Sequence, residues 1–193
     1  MQTNETGALR QVASGALKAT WANKSTFAGL ALVLGCSLTA LAADGNDNRA
    51  PEVPDTIVVD QGNKVDFHAL GIGVQIYTWD GSAWTGPVPE ATLFHANGVV
   101  ATHFAGPTWQ SNSGSTVVGT PEKSVTVDTN AIPWVRLKAK SSEGPGIFAN
   151  TTFIQRVHTV GGKAPKENGS FVGQVARVPY AADYFFYRAT DSN

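Results

Sequence analysis

From residue 55 onward the chain never holds an apolar period of 3.6 residues over a dozen positions; it alternates instead. In KVDFHAL, 64–70, Val65, Phe67 and Ala69 oppose Lys64, Asp66 and His68. In GVQIYTW, 73–79, Val74, Ile76 and Thr78 oppose Gln75, Tyr77 and Trp79. A period of two throws successive side chains to opposite faces of a strand, so both segments read as strands. The second set in 73–79 makes a polar and aromatic face. Helices are further disfavoured by 20 Gly and 10 Pro, which break them and favour turns.

Turn chemistry divides the pattern. Asp80-Gly81 and Asn97-Gly98 each stand between strand-like runs, and such dipeptides mark hairpins. Further strands are read in TIVVD, SGSTVVGT, SVTVDT, WVRLKAK, TTFIQRVHT, SFVGQVARV and ADYFFYRAT. The expected fold is all-β: a single-domain antiparallel β-sandwich or squat barrel of about ten or more short strands. No repeat of 20 to 50 residues is visible.

The N-terminus reads as an export signal over 1–42. Arg10, Lys18 and Lys24 supply a basic region, 27–42 is an uncharged apolar run, and Ala40-Leu41-Ala42 fits a small-x-small cleavage rule. Two other readings stay open. The run is an uncleaved membrane anchor, or Val33-Leu34-Gly35-Cys36 is a lipidation signal that anchors the chain at Cys36. Residues 43–54 read as a linker and 55–193 as the domain. The mature chain carries no apolar run long enough for a spanning helix. The expected location is exported, periplasmic or extracellular. Cys36 is the only cysteine, so no disulfide supports the domain. The formal net charge is −1, with Lys and Arg scattered singly, which argues against a nucleic-acid partner.

VQIYTWDGSAW, PEATLF, ATHFAGPTWQSNSGSTVVG, AIPWVRLKAK, FIQRVHTVGGKAP and VPYAADYFFYR together resemble an uncharacterised family of exported proteins from bacteria and fungi, a domain of unknown function. Some fungal members carry a malate dehydrogenase label. The resemblance spans Asp55 to Tyr187 and implies an exported β-rich domain, with no activity attached. Many members have Cys near the positions of Trp79 and Asn168; neither is Cys here. The dehydrogenase label finds no support in the residues, because Gly71-Ile72-Gly73 leads into a strand and not into a helix that could hold a pyrophosphate.

Candidate site residues gather around THFAGPTWQ, 102–110. His103 offers a ligand or an acid–base group near neutral pH, against the plainer reading of a histidine bonded to a loop carbonyl. Trp79, Trp84 and Trp109 lie in or beside turns. With Tyr77 and His103 they would form an exposed aromatic rim on which a sugar or another flat molecule could stack. Arg156, among apolar strand residues, wants a carboxylate, and Asp183 is the expected partner in a structural ion pair. His95 and His103 flank the Asn97-Gly98 turn but are out of register for a metal pair, and no metal or cofactor is expected. Ser111, Ser113 and Ser115 lack the Gly-x-Ser-x-Gly elbow of a hydrolase.

The leading expectation is therefore an exported, non-catalytic ligand-binding or envelope-associated domain for a small molecule or carbohydrate. The second is a metal-dependent or acid–base enzyme centred on His103, assisted by Arg156 and Asp183. The third is a structural surface protein.

Overall fold

The computed structural model describes residues 50–190. The expected leader over 1–42, with Cys36, lies outside the described residues, as do 43–49 of the linker. The described chain is all-β. Eight antiparallel strands follow one another around a closed barrel in sequence order. They are β1 (Asn63–Trp79), β2 (Trp84–His95), β3 (Gly98–Phe104), β4 (Thr108–Ser111), β5 (Thr116–Val125), β6 (Trp134–Glu143), β7 (Thr151–Gly161) and β8 (Val175–Ala189). β8 pairs with β7 on one side and with β1 on the other, from Asn63↔Ala189 to Thr78↔Val175.

The count is eight strands and not ten, and the architecture is the barrel and not the sandwich. KVDFHAL and GVQIYTW are two halves of β1, which runs unbroken through Gly71-Ile72-Gly73. Tyr180 to Asp183 likewise lies inside β8 and does not interrupt it. SVTVDT adds only the end of β5. Closing eight strands requires them to tilt and coil, so long strands with flexible points replace pairs of short ones. TIVVD is not a strand. Asp55–Ile57 is a 3₁₀ turn inside a strap that lies on the outside of the barrel.

That strap covers a second apolar cluster. Ile57 packs with Val65, Phe153, Val157, Phe185 and Tyr187 on the outer face. Gln155 Nε2 donates to the Ile57 carbonyl at 2.7 Å, and Arg136 Nη1 donates to that of Val58 at 2.6 Å.

Both hairpin signals are real, with altered turns. The β1–β2 loop has four residues, 80–83, and Asp80 Oδ1 accepts from the N–H groups of Ser82 and Ala83. In the β2–β3 hairpin His95 pairs with Gly98, so Ala96 and Asn97 form the loop, at φ 46° and 68°. Two successive positive φ values are the signature of a type I′ turn.

The lumen holds the main core. Side chains two apart on β8, Tyr180, Ala182, Tyr184 and Phe186, all point into it and meet Ala69, Leu93, Ala101, Trp109, Val117 and Ile154. The end of the lumen at the β6–β7 loop is filled by Phe148, whose ring lies 4.6 Å from that of Phe186. Close strand approach depends on Gly73. A Cβ there would stand 2.1 Å from the Glu90 carbonyl oxygen and 2.5 Å from the Ala91 Cα. Those atoms belong to the β1–β2 ladder and cannot move aside without opening it. Gly73→Ala is expected to destabilise the barrel by about 3 kcal/mol or more, the upper end for overpacking. Gly114→Ala, at φ 92° with open space around it, is expected to cost only about 1–2 kcal/mol for its left-handed backbone. Urea unfolding of the two variants checks this, and equal midpoints would contradict the account of Gly73.

Candidate binding cavity in the lumen

The end of the barrel opposite Phe148 is not filled. A cavity of about 380 Å³ opens there, lined by the β3–β4 connection, by Pro133 of the β5–β6 connection and by the strands around them. Its rim carries Pro87, Pro89, Pro107, Pro121 and Pro133, half of the chain's prolines. Proline has no N–H to satisfy and a fixed φ, so a proline rim is both apolar and stiff.

His103 and Trp109 form one wall of this cavity. The two are directly paired across β3 and β4. Their rings stack at 4.2 Å and 5°, an offset-stacked cross-strand pair. The short Ala105-Gly106-Pro107 connection makes the pairing possible, with Gly106 at φ 124°. His103 Nδ1 donates to the Thr108 carbonyl at 2.8 Å, which leaves Nε2 as the acceptor of a neutral ring. His103 is buried, and that burial lowers its pKa to about 3. The bond to Thr108 opposes the shift without cancelling it, and Arg156 adds to it. Tyr184 meets both rings edge-on, at 5.3 Å from His103 and 5.7 Å from Trp109. Its hydroxyl is 3.0 Å from that of Tyr180.

Arg156 enters the same cavity from β7 and Gln75 from β1. Arg156 Nη2 donates to the Pro133 carbonyl at 2.9 Å. No carboxylate lines the cavity, and no ion pair to Arg156 occurs among the described residues. Three N–H groups here are buried without a hydrogen-bond partner: Gln75 Nε2, Trp109 Nε1 and Arg156 Nε. Such groups are rare in native interiors, because each left unpaired costs roughly 1–3 kcal/mol.

The expected exposed rim of five residues is not assembled. Only His103 and Trp109 reach the cavity, and they stand inside it, Trp109 at 1% exposure. Tyr77 and Trp79 are also buried and belong to a different contact, with the 162–174 segment. Tyr77 Oη donates to the Gly162 carbonyl at 2.7 Å, Trp84 Nε1 donates to the Glu167 carbonyl at 2.9 Å, and Trp79 meets Trp84 edge-on at 5.5 Å. Gly169 sits so near Trp79 that a Cβ would come within 2.3 Å of the indole. These three aromatics pin a loop down and present no stacking platform.

The expected Arg156–Asp183 pair does not form either. Adjacent residues on a strand face opposite ways: Tyr184 points inward with Arg156, and Asp183 points outward. There Asp183 accepts from His68 Nε2 and His158 Nδ1, both at 2.9 Å. Burial would raise the carboxyl pKa, but the two histidine bonds outweigh it and hold the group below its ordinary value. The grouping of His103, Arg156 and Asp183 needed for the enzyme reading is therefore split by the barrel wall. His95 Nδ1 bonds the His68 carbonyl, away from His103. Among the described residues no group of three or more His, Cys, Asp or Glu side chains stands close enough to hold a metal ion.

Gln75, Tyr180, Tyr184, Val135 and Leu137 were not among the expected site residues. Gln75 was legible as a member of the polar and aromatic face of 73–79. The tyrosines were legible through the two-residue spacing of the last strand.

The burial of His103 has a measurable consequence. Its folded pKa lies below the unfolded value near 6.5, so the ring is neutral in the folded state and charges readily only on unfolding. Stability linked to His103 is present above pH 6.5 and is lost as pH falls toward 3. Between pH 7 and pH 4 the loss amounts to roughly 3 kcal/mol at about 1.4 kcal/mol per pH unit. His103→Phe keeps a ring against Trp109 and removes this titration. Denaturation at the two pH values is expected to show the wild type losing that much more than the variant; parallel losses would contradict a buried neutral His103.

No curated protein and no solved structure matches this chain. Residues 94–188, which run from the last turn-ward residues of β2 almost to the end of β8, match the model of a family described as a protein of unknown function (DUF3455).

Proposed function

We propose that the barrel is a binding protein that takes a small, largely apolar molecule into its lumen and performs no chemistry on it. The observation that carries this reading is the half-filled lumen. Phe148 and Phe186 close one end, while about 380 Å³ at the other end is open and walled by aliphatic, aromatic and proline side chains. Eight strands leave an interior just wide enough to be filled by side chains or to hold one small ligand. The volume falls within the usual range for ligand sites.

The polar groups present fit holding better than reacting. His103 is neutral with Nδ1 committed to a backbone carbonyl, and no carboxylate stands beside it to orient or recharge it. The ligand enters the barrel and does not lie across an outer aromatic surface, since Trp79, Trp84 and Tyr77 are occupied by the 162–174 segment.

Titration with the neutral apolar fluorophore N-phenyl-1-naphthylamine tests this. Saturable binding of one molecule is expected. Ala105, exposed at the rim, is the position at which to obstruct entry. Ala105→Trp is expected to weaken binding by about tenfold or more, about 1.4 kcal/mol, with the thermal unfolding midpoint unchanged. Absence of binding to the wild type, or equal binding by the two proteins, would overturn the reading.

A further inference from the structure

We propose that the ligand of this cavity carries a carboxylate, and that Arg156 receives it with help from Gln75 and Trp109. This deepens the lumen-binding reading and rests on it. Three observations lead to it. First, Arg156 brings a permanent positive charge to a largely apolar cavity that no acidic side chain lines. A cation partly withdrawn from water is favoured by a paired anion, and the half-buried Arg156 guanidinium meets neutral groups here, the Pro133 carbonyl at 2.9 Å and the Tyr184 hydroxyl.

Second, the unsatisfied groups are all of one kind. Gln75 Nε2, Trp109 Nε1 and Arg156 Nε are donors, from three different strands, and each residue lines the cavity. Gln75 and Trp109 are each 1% exposed, so their unpaired N–H groups have no access to bulk water. A ligand group that answers three donors and one cation must be rich in acceptors and negative. A carboxylate has two oxygens with about four acceptor sites and no proton to offer, which fits a set made only of donors.

Third, the rest of the cavity offers such a group little else to bind and offers an apolar body a great deal. Val135 and Leu137 together with the proline rim would take hydrocarbon or an aromatic ring. The ligand class is thus a monocarboxylic acid with a compact acyl or aryl body.

The test compares acids with their uncharged amides at neutral pH: decanoate with decanamide, and 3-phenylpropionate with 3-phenylpropanamide, each displacing N-phenyl-1-naphthylamine from the full chain. In at least one pair the acid is expected to bind the wild type about tenfold or more tighter than its amide, the worth of a hydrogen bond to a charged group. Arg156→Gln is expected to erase that preference while still binding the fluorophore; Arg156→Lys, which keeps the charge and loses the fork, is expected to retain part of it. A thermal melt of each variant confirms that it is folded. If the fluorophore binds but neither acid outcompetes its amide, or if Arg156→Gln keeps the preference, the carboxylate proposal fails and the lumen reading stands. If the fluorophore does not bind the wild type, both fail.

Discussion

The pairing of β8 with β1 is the constraint from which the rest follows. Without that ladder the eight strands would form an open meander with two exposed edges; with it, every strand has two neighbours and the sheet acquires an inside. Closure fixes which residues can meet. Gln75 near one end of the chain's barrel and Arg156 and Tyr184 near the other share a cavity only because the first strand lies against the last. It also explains the glycines of β1. Tyr184 leans across Gly71, where a Cβ would come within 2.5 Å of its ring, and the β2 backbone crowds Gly73.

Closure sorts side chains by parity as well. On β7, Ile154 faces the lumen and Arg156 lines its cavity, while Phe153 and Val157 face the strap that runs along 50–60. On β8, Tyr184 and Asp183 are neighbours in sequence and are divided by the wall. The barrel therefore has two polar systems with separate surroundings: an inner one of donors around Arg156, and an outer one in which Asp183 is shared by His68 and His158. The outer system pairs its acceptor with two donors. The inner one leaves donors unpaired, and that imbalance is the chemical feature that distinguishes this cavity from an ordinary packing gap.

Much of the fold was legible in the sequence. Alternation in 64–79, the Asn and Asp turns, and the absence of a helical period led to an all-β chain. Strand number was misread for a physical reason: Gly71 to Gly73 looks like a break, but in a tightly coiled barrel glycine is what allows a long strand to continue. The site was half legible. Pairing of His103 with Trp109 follows from the short Gly-Pro turn between them, and alternation puts Arg156 on the face opposite Phe153 and Val157. What parity within one strand could not reveal was which face of the sheet would become the inside. That is why Trp79, Trp84 and Tyr77 were expected on a rim, and why Asp183 was assigned to Arg156 although one residue places it on the other side of the wall. The family match begins within β2 and leaves out β1, the strand that closes the barrel and contributes Gln75.

The central claim is that the donors left unpaired in the lumen are completed by a negatively charged ligand. The most direct measurement is nitrogen-15 NMR of the Trp109 Nε1–H and Arg156 Nε–H signals during titration with decanoate. Completion of these donors predicts that both signals move together and saturate at one equivalent, while the indoles of Trp79 and Trp84, on the outer loop contact, stay in place. Stationary Trp109 and Arg156 signals at saturating decanoate, or movement confined to the outer indoles, would contradict it.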